Sequence, residues 1–105
     1  MHRVKLVVRL LEGGTTVGGY ARRVELPFVP SIGMRFEQGV STRLWETADG
    51  DELSPAVEEL LYDFDEEEIV CLFTIAKRLA SSFWTSLKYD PQEFQSKELN
   101  YFKGK

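Results

Sequence analysis

Apolar and polar positions alternate through the first part of the chain. From Arg3 to Leu11, the residues Val4, Leu6, Val8 and Leu10 fall on one side of an extended chain, with Arg3, Lys5, Val7 and Arg9 on the other. Period two with β-branched enrichment reads as a half-buried strand. Glu12-Gly13-Gly14-Thr15-Thr16 is a loop by composition. From about Gly19 the alternation resumes, with Tyr20, Arg22, Val24, Leu26 and Phe28 sharing a face. Two such runs joined by a short Gly-rich connection predict a β-hairpin. Pro27 and Pro30 end its second strand, because proline lacks the N–H a ladder needs and restricts the residue before it. Gly33 then suits a turn that requires positive φ.

Met34 to Gln38 fits a short third strand, continued over Val40–Thr47 after a break or bulge at Gly39. Ala48–Leu53 (ADGDEL) is a polar, mobile loop by composition. The next stretch, Val57 to Ala76 (VEELLYDFDEEEIVCLFTIA), carries the strongest pattern in the chain. Its first part is ambiguous. Ser54-Pro55 resembles a helix start, and Val57, Leu60, Leu61 and Phe64 have helix spacing. Only about two turns are available before the acids Asp63, Asp65, Glu66, Glu67 and Glu68, however, and the run leads directly into a strand. The reading adopted is a hairpin. In Glu68–Ala76 both alternating sets are apolar or nearly so, which places that strand in the middle of a sheet.

Lys77–Tyr89 has apolar residues at four-residue steps, although its serines and Thr85 weaken a helix. Asp90-Pro91-Gln92-Glu93 is a clearer helix start, a capping pattern with proline at the first position. Gly104 would end that helix. The expectation is a single α+β domain over residues 1–105. It consists of an antiparallel sheet of about five strands, a meander that could roll into a small barrel, with a C-terminal helix packed on it.

Composition adds a charge map. The 105 residues include 43% hydrophobic and 12% aromatic residues, enough for a core. The net charge of -4 hides a segregation. Glu46–Glu68 holds eleven acids and no base, and the remainder balances at +7. A pI near 5.0 argues against nucleic acid as the main partner. No apolar run approaches the ~18 residues of a membrane span. Lys5 and Arg9 interrupt the N-terminal apolar run, so a signal peptide is not expected. One cysteine excludes an internal disulfide and fits a reducing cytoplasm.

The search for chemistry returns little. Asp63, Asp65 and Glu67 are spaced like the start of a calcium loop, but the sixth position is Glu68 instead of glycine and the twelfth is Thr74 instead of glutamate. No metal is expected. The single histidine, His2, sits in a terminal region, and Cys71 lies in an apolar strand, so neither a triad nor a reactive thiol is expected. The Gly13-Gly14 loop lacks the Lys-Ser/Thr and helix of a phosphate cradle. No catalytic residue and no cofactor is assigned. Arg3, Lys5, Arg9, Arg22 and Arg23 line the first hairpin and are candidate contacts to a single-stranded nucleic acid, although edge strands carry such residues simply to stay soluble. Phe83 and Trp84 are adjacent, so one of them is expected at the surface.

The leading functional expectation is a small non-catalytic protein or regulatory module that binds another protein with a basic surface. Its candidate contacts are Asp63, Asp65, Glu66, Glu67 and Trp84. The alternatives are a small carboxylate-dependent enzyme or enzyme subunit, and single-strand binding by the basic hairpin. A homodimer through a sheet edge is also expected, and no membrane partner.

Overall fold

In the computed structural model, which describes residues 1–37, 44–80, 83–88 and 97–102, five strands form one mixed sheet. They are β1 (His2–Glu12), β2 (Thr15–Leu26), β3 (Glu59–Asp63), β4 (Glu68–Ile75) and β5 (Thr85–Lys88), in the order β3-β4-β1-β2-β5. The pairs β1–β2, β3–β4 and β2–β5 are antiparallel. β1 and β4 run parallel, from Val4 beside Ile69 to Leu10 beside Ile75.

The expected α+β domain with an antiparallel meander is therefore wrong. After β2 the chain crosses to the far edge of the sheet, and after β4 it crosses back, so β3 and β5 stand at opposite edges. Among the described residues the helix expected to cover the sheet is present only as α1 (Lys97–Asn100), a single turn. Its expected start at Asp90–Glu93 lies outside the described residues, as does its expected end at Gly104. The parallel pairing follows from burial. β4 is apolar on both sides and needs cover on both faces, the usual setting of a parallel strand. β1 can lie beside it because its second face is buried too: Lys5 and Val7 are both inside.

Val57–Asp63 resolves in favour of the strand. The Val57 N–H donates to Met34 O, the Gly33 N–H to Val57 O and the Glu58 N–H to Leu72 O, each at 2.8 Å, so these backbone groups are committed to neighbouring chain instead of a helix ladder. The third strand expected over Met34–Gln38 and Val40–Thr47 is replaced, in its described part, by single bridges of Arg35 to Ala56, Glu46 to Glu52 and Thr47 to Leu79. Gln38 and residues 40–43 lie outside the described residues. Lys77–Tyr89, spaced for a helix, forms none among its described residues. Leu79 forms a bridge, and Thr85–Lys88 adds to the edge of β2 that β1 leaves free.

Two apolar layers result. On one face Val4, Leu6, Val8 and Leu10 join Cys71, Phe73 and Ile75 under the crossover residues Leu44, Trp45, Val57, Leu79 and Trp84. Trp45 is central there, with its ring 5.2 Å from Phe73 and 5.3 Å from Trp84. Each indole N–H reaches a carbonyl at 2.7 Å, Trp45 that of Phe36 and Trp84 that of Leu44, so neither buried donor is wasted. On the other face Val7, Val70 and Leu72 meet Phe102, with Leu61, Leu87 and Tyr101 at the margin.

Gly19 lets the C-terminal segment reach this second face. A Cβ there would sit 2.3 Å from Val8 O and 2.9 Å from Leu99 Cδ2. Gly19→Ala must therefore move backbone or push Leu99 away. The expected cost is about 1–3 kcal/mol, as for overpacking elsewhere, read as a lower urea midpoint at unchanged slope. An unchanged midpoint would mean that β1, β2 and α1 part without penalty.

Candidate functional site

The turn between β3 and β4 is built by Asp63. Its Oδ1 accepts the backbone N–H of Asp65 at 2.9 Å and that of Glu66 at 3.2 Å, a local bond that lets an Asp open a turn. Its Oδ2 accepts the Tyr101 hydroxyl at 2.6 Å, which ties the turn to the C-terminal segment. Glu67 closes the turn at φ 53, a left-handed conformation that glycine or asparagine would adopt at lower cost. Asp65 and Glu67 are exposed, whereas Glu66 is half-buried, 3.8 Å from Arg23 Nη2.

Two aromatic rings accompany these acids at the surface. Phe64 is 84% exposed and Tyr62 52%, and they meet edge to face with centroids 5.0 Å apart. The registers His2–Leu26, Val4–Ile69 and Asp63–Glu68 place this turn at the same end of the sheet as the end of β2. Beyond β2 come the exposed Phe28, Val29 and Ile32. Sequence reasoning missed Phe64 and Tyr62 as surface residues, because Phe64 was counted in an apolar helix stripe. The available signal was its position between Asp63 and Asp65, inside a polar turn.

Trp84, a candidate contact from the sequence, is only 6% exposed and belongs to the core. Phe83 is the outer member of the pair. The Arg22 guanidinium carbon lies 3.4 Å from its ring centroid, and Arg22 Nη1 donates to its carbonyl at 2.7 Å.

The other cations of the first hairpin do not form one open surface either. Lys5 is 2% exposed, with Nζ 3.4 Å from Glu68 Oε1 and 3.3 Å from Glu98 Oε1. Glu68, 1% exposed, also receives Arg23 in two bonds, Nε to Oε2 at 3.1 Å and Nη2 to Oε1 at 3.3 Å. That hydrogen bonding pushes the Arg23 guanidinium further up. Arg9 donates to Thr74 Oγ1 at 3.1 Å, lies 3.7 Å from Glu58 and covers the Phe102 ring at 4.7 Å. Arg3 is exposed.

Asp49 and Asp51, the acids of the ADGDEL loop, both pair with Lys77. The Thr47 hydroxyl, hydrogen-bonded to Asp49, holds that carboxyl below its ordinary value. The hydrogen bond to Asp51 raises Lys77. Four acids of the eleven-acid segment, Asp49, Asp51, Glu58 and Glu68, are thus paired with cations of the chain, and four more, Asp63, Asp65, Glu66 and Glu67, lie in the hairpin turn.

Among the described residues no group of three or more His, Cys, Asp or Glu is arranged to hold a metal ion. A cleft of about 350 Å³ opens beside Arg3, Arg23, Glu25 and Glu68. Its buried acid has both oxygens engaged by Lys5 and Arg23. Cys71 is buried, and that burial pushes its thiol up to about 12. No helix among the described residues is long and apolar enough to cross a membrane. No family model, curated protein or solved structure matches the chain.

Two predictions follow from this geometry. Glu68→Ala takes from the buried Lys5 its buried carboxylate, leaving only the partly exposed Glu98, and is expected to cost about 3 kcal/mol. The double change Lys5→Met with Glu68→Leu should recover most of that loss in a urea titration. A double variant as weak as the single one would show that the pair matters for more than mutual neutralisation. The second concerns alkaline pH. Cys71, raised from 9.0 by burial, and Tyr101, raised by burial and then by its bond to Asp63, both keep their protons longer in the folded chain. The unfolded chain releases them first, so the stability they supply is complete below about pH 9 and is lost as the pH rises toward 12. Urea midpoints measured across that window should fall less steeply for Cys71→Val than for the unchanged chain.

Proposed function

We propose that this chain is a non-catalytic protein-binding domain, and that the β3–β4 hairpin engages a basic surface on a partner protein through Phe64, Tyr62 and the carboxylates of Asp65, Glu66 and Glu67. The observation that carries the reading is the exposure of Phe64 and Tyr62 amid these acids. Burying a side chain of that size is worth about 1.5–3 kcal/mol, and here it is left in water at a hairpin turn. The conformation of Glu67 points the same way. A glutamate held at positive φ keeps a charge where glycine would fold with less strain. Asp63, grouped with these acids by sequence, acts as the organiser of the turn. Trp84 is not part of the surface.

The alternatives have less support. A carboxylate enzyme would draw on a buried acid in a cleft, and the buried acid of the 350 Å³ cleft, Glu68, is engaged by two cations, while the second acid there, Glu25, is exposed. Single-strand binding by the first hairpin would need its cations available, and Lys5, Arg9, Arg22 and Arg23 are turned to acids, a hydroxyl or a ring. A reducing, cytoplasmic setting suits a chain with one cysteine, buried in the core.

The test uses affinity capture at low salt with two variants, Phe64→Ser and the triple change Asp65→Asn, Glu66→Gln and Glu67→Gln. Both should melt within a few degrees of the unchanged chain, as surface substitutions do. Proteins captured by the unchanged chain should be lost from both. Partners retained in full by both variants would remove the hairpin as the contact surface.

A further inference from the structure

Residues 97–102 are held in place by side chains. α1 is a single turn, far too short to be stable alone. Leu99 and Phe102 are both buried. Leu99 Cδ2 fills the space that a side chain at Gly19 would need, and Phe102 covers Val7, Val70 and Leu72 beneath the Arg9 guanidinium. Glu98 meets Lys5 at 3.3 Å. Tyr101 reaches a different element. Its hydroxyl donates to Asp63 Oδ2 at 2.6 Å, while Asp63 Oδ1 accepts the N–H groups of Asp65 and Glu66. One carboxylate therefore serves both the acidic turn and a segment 38 residues further along the chain.

Asp63 shapes the turn only while its carboxylate plane is set. The last torsion of an Asp side chain is broad, so one oxygen is aimed best when the other is held. Tyr101 supplies that hold. The turn needs it, because Glu67 stands at φ 53, a conformation that persists only where its surroundings over-determine it. Two arrangements follow. With residues 97–102 seated, Phe64 and Tyr62 are presented and the face of Val7, Val70 and Leu72 is covered. With the segment lifted, that apolar face is bare and Asp63 loses the hydroxyl that orients it.

We propose that residues 97–102 are a latch on the contact hairpin, with Tyr101 as the positioning residue. Seating the segment fixes the turn in the form that presents Phe64 and Tyr62, so closing the latch and binding a partner favour each other. Coupling of this kind is reciprocal. This regulation rests on the acidic hairpin being the contact surface, and it adds what controls that surface.

The test reads amide–solvent exchange by NMR in the intact chain. Tyr101→Phe should speed exchange of the Asp65 and Glu66 N–H groups about fivefold or more, the lower end of ordinary coupling between sites. Asp63→Ala should speed by a similar factor the Tyr101 and Phe102 N–H groups, which donate to Glu98 O at 3.2 Å and Leu99 O at 3.1 Å. Asp63→Asn should leave both sets near their original rates, because a carboxamide accepts from the turn and donates to the Tyr101 oxygen. In all three variants the central-strand amides of Val7 and Val8 should keep their rates, which separates a local latch from a loss of overall stability. Affinity capture at low salt should retain about fivefold less partner protein with Tyr101→Phe, by the same coupling. Turn amides unmoved by Tyr101→Phe, or moved only together with Val7 and Val8, would overturn the latch. Partners captured in full by Tyr101→Phe but lost from Phe64→Ser would overturn it as well, while leaving the hairpin as the contact surface. Partners kept by both turn variants would instead remove the contact surface and, with it, the regulation.

Discussion

A buried carboxylate sets the register of the sheet's centre. In β4 both alternating sets are apolar, so a shift of one residue against β1 would exchange one apolar face for another and hydrophobic burial would resist it only weakly. Glu68 removes that freedom. Its oxygens lie against Lys5 from β1 and Arg23 from β2, and an unpaired charge in the same place costs several kcal/mol. A one-residue slip would turn Glu68 toward the layer of Phe73 and Trp45, and a two-residue slip would carry it away from both cations. The position of β4 in turn places β3 and the acidic turn.

The same network explains how the charge segregation in the sequence is used. Glu46–Glu68 looks like one acidic block, but five of its eleven acids have tasks within the chain. Asp49 and Asp51 hold Lys77, Glu58 meets Arg9 and Thr74, Glu68 lies inside, and Asp63 shapes a turn. The first hairpin's cations are the matching halves of several of these pairs. Among the others, Asp65 and Glu67 are exposed with Phe64 and Tyr62 between and beside them, at one end of the sheet.

The first hairpin and the central position of Glu68–Ala76 were legible in the sequence, because alternation and a doubly apolar strand have direct physical meanings. The strand at β3 was legible with an equally spaced helix as its competitor, and backbone bonds to Met34 and Leu72 decided it. The parallel pairing was not legible. Lys5 and Arg9 made the second face of β1 look solvated, and their partners Glu68, Glu98 and Glu58 are far along the chain. The site was half legible: the acids of the turn were found by composition, whereas Phe64 was misplaced by spacing and Trp84 by adjacency. Trp84 can turn inward because a carbonyl of the crossover, Leu44 O, accepts its N–H.

The parallel ladder between β1 and β4 also has a kinetic consequence. Both hairpins close over short loops, and hairpins of this kind form in about 1–10 μs. The ladder that joins them brings Val4 to Ile69 across most of the chain, so its closure entropy must be met before any contact rewards it. Until β4 arrives, β1 shows a bare, strongly apolar edge of the sort that recruits other chains. The charge of Lys5, buried once the sheet is complete, and that of the more exposed Arg23 beside it sit on that unfinished surface, where they keep it from joining another copy and leave it selective for the one strand that begins with a glutamate.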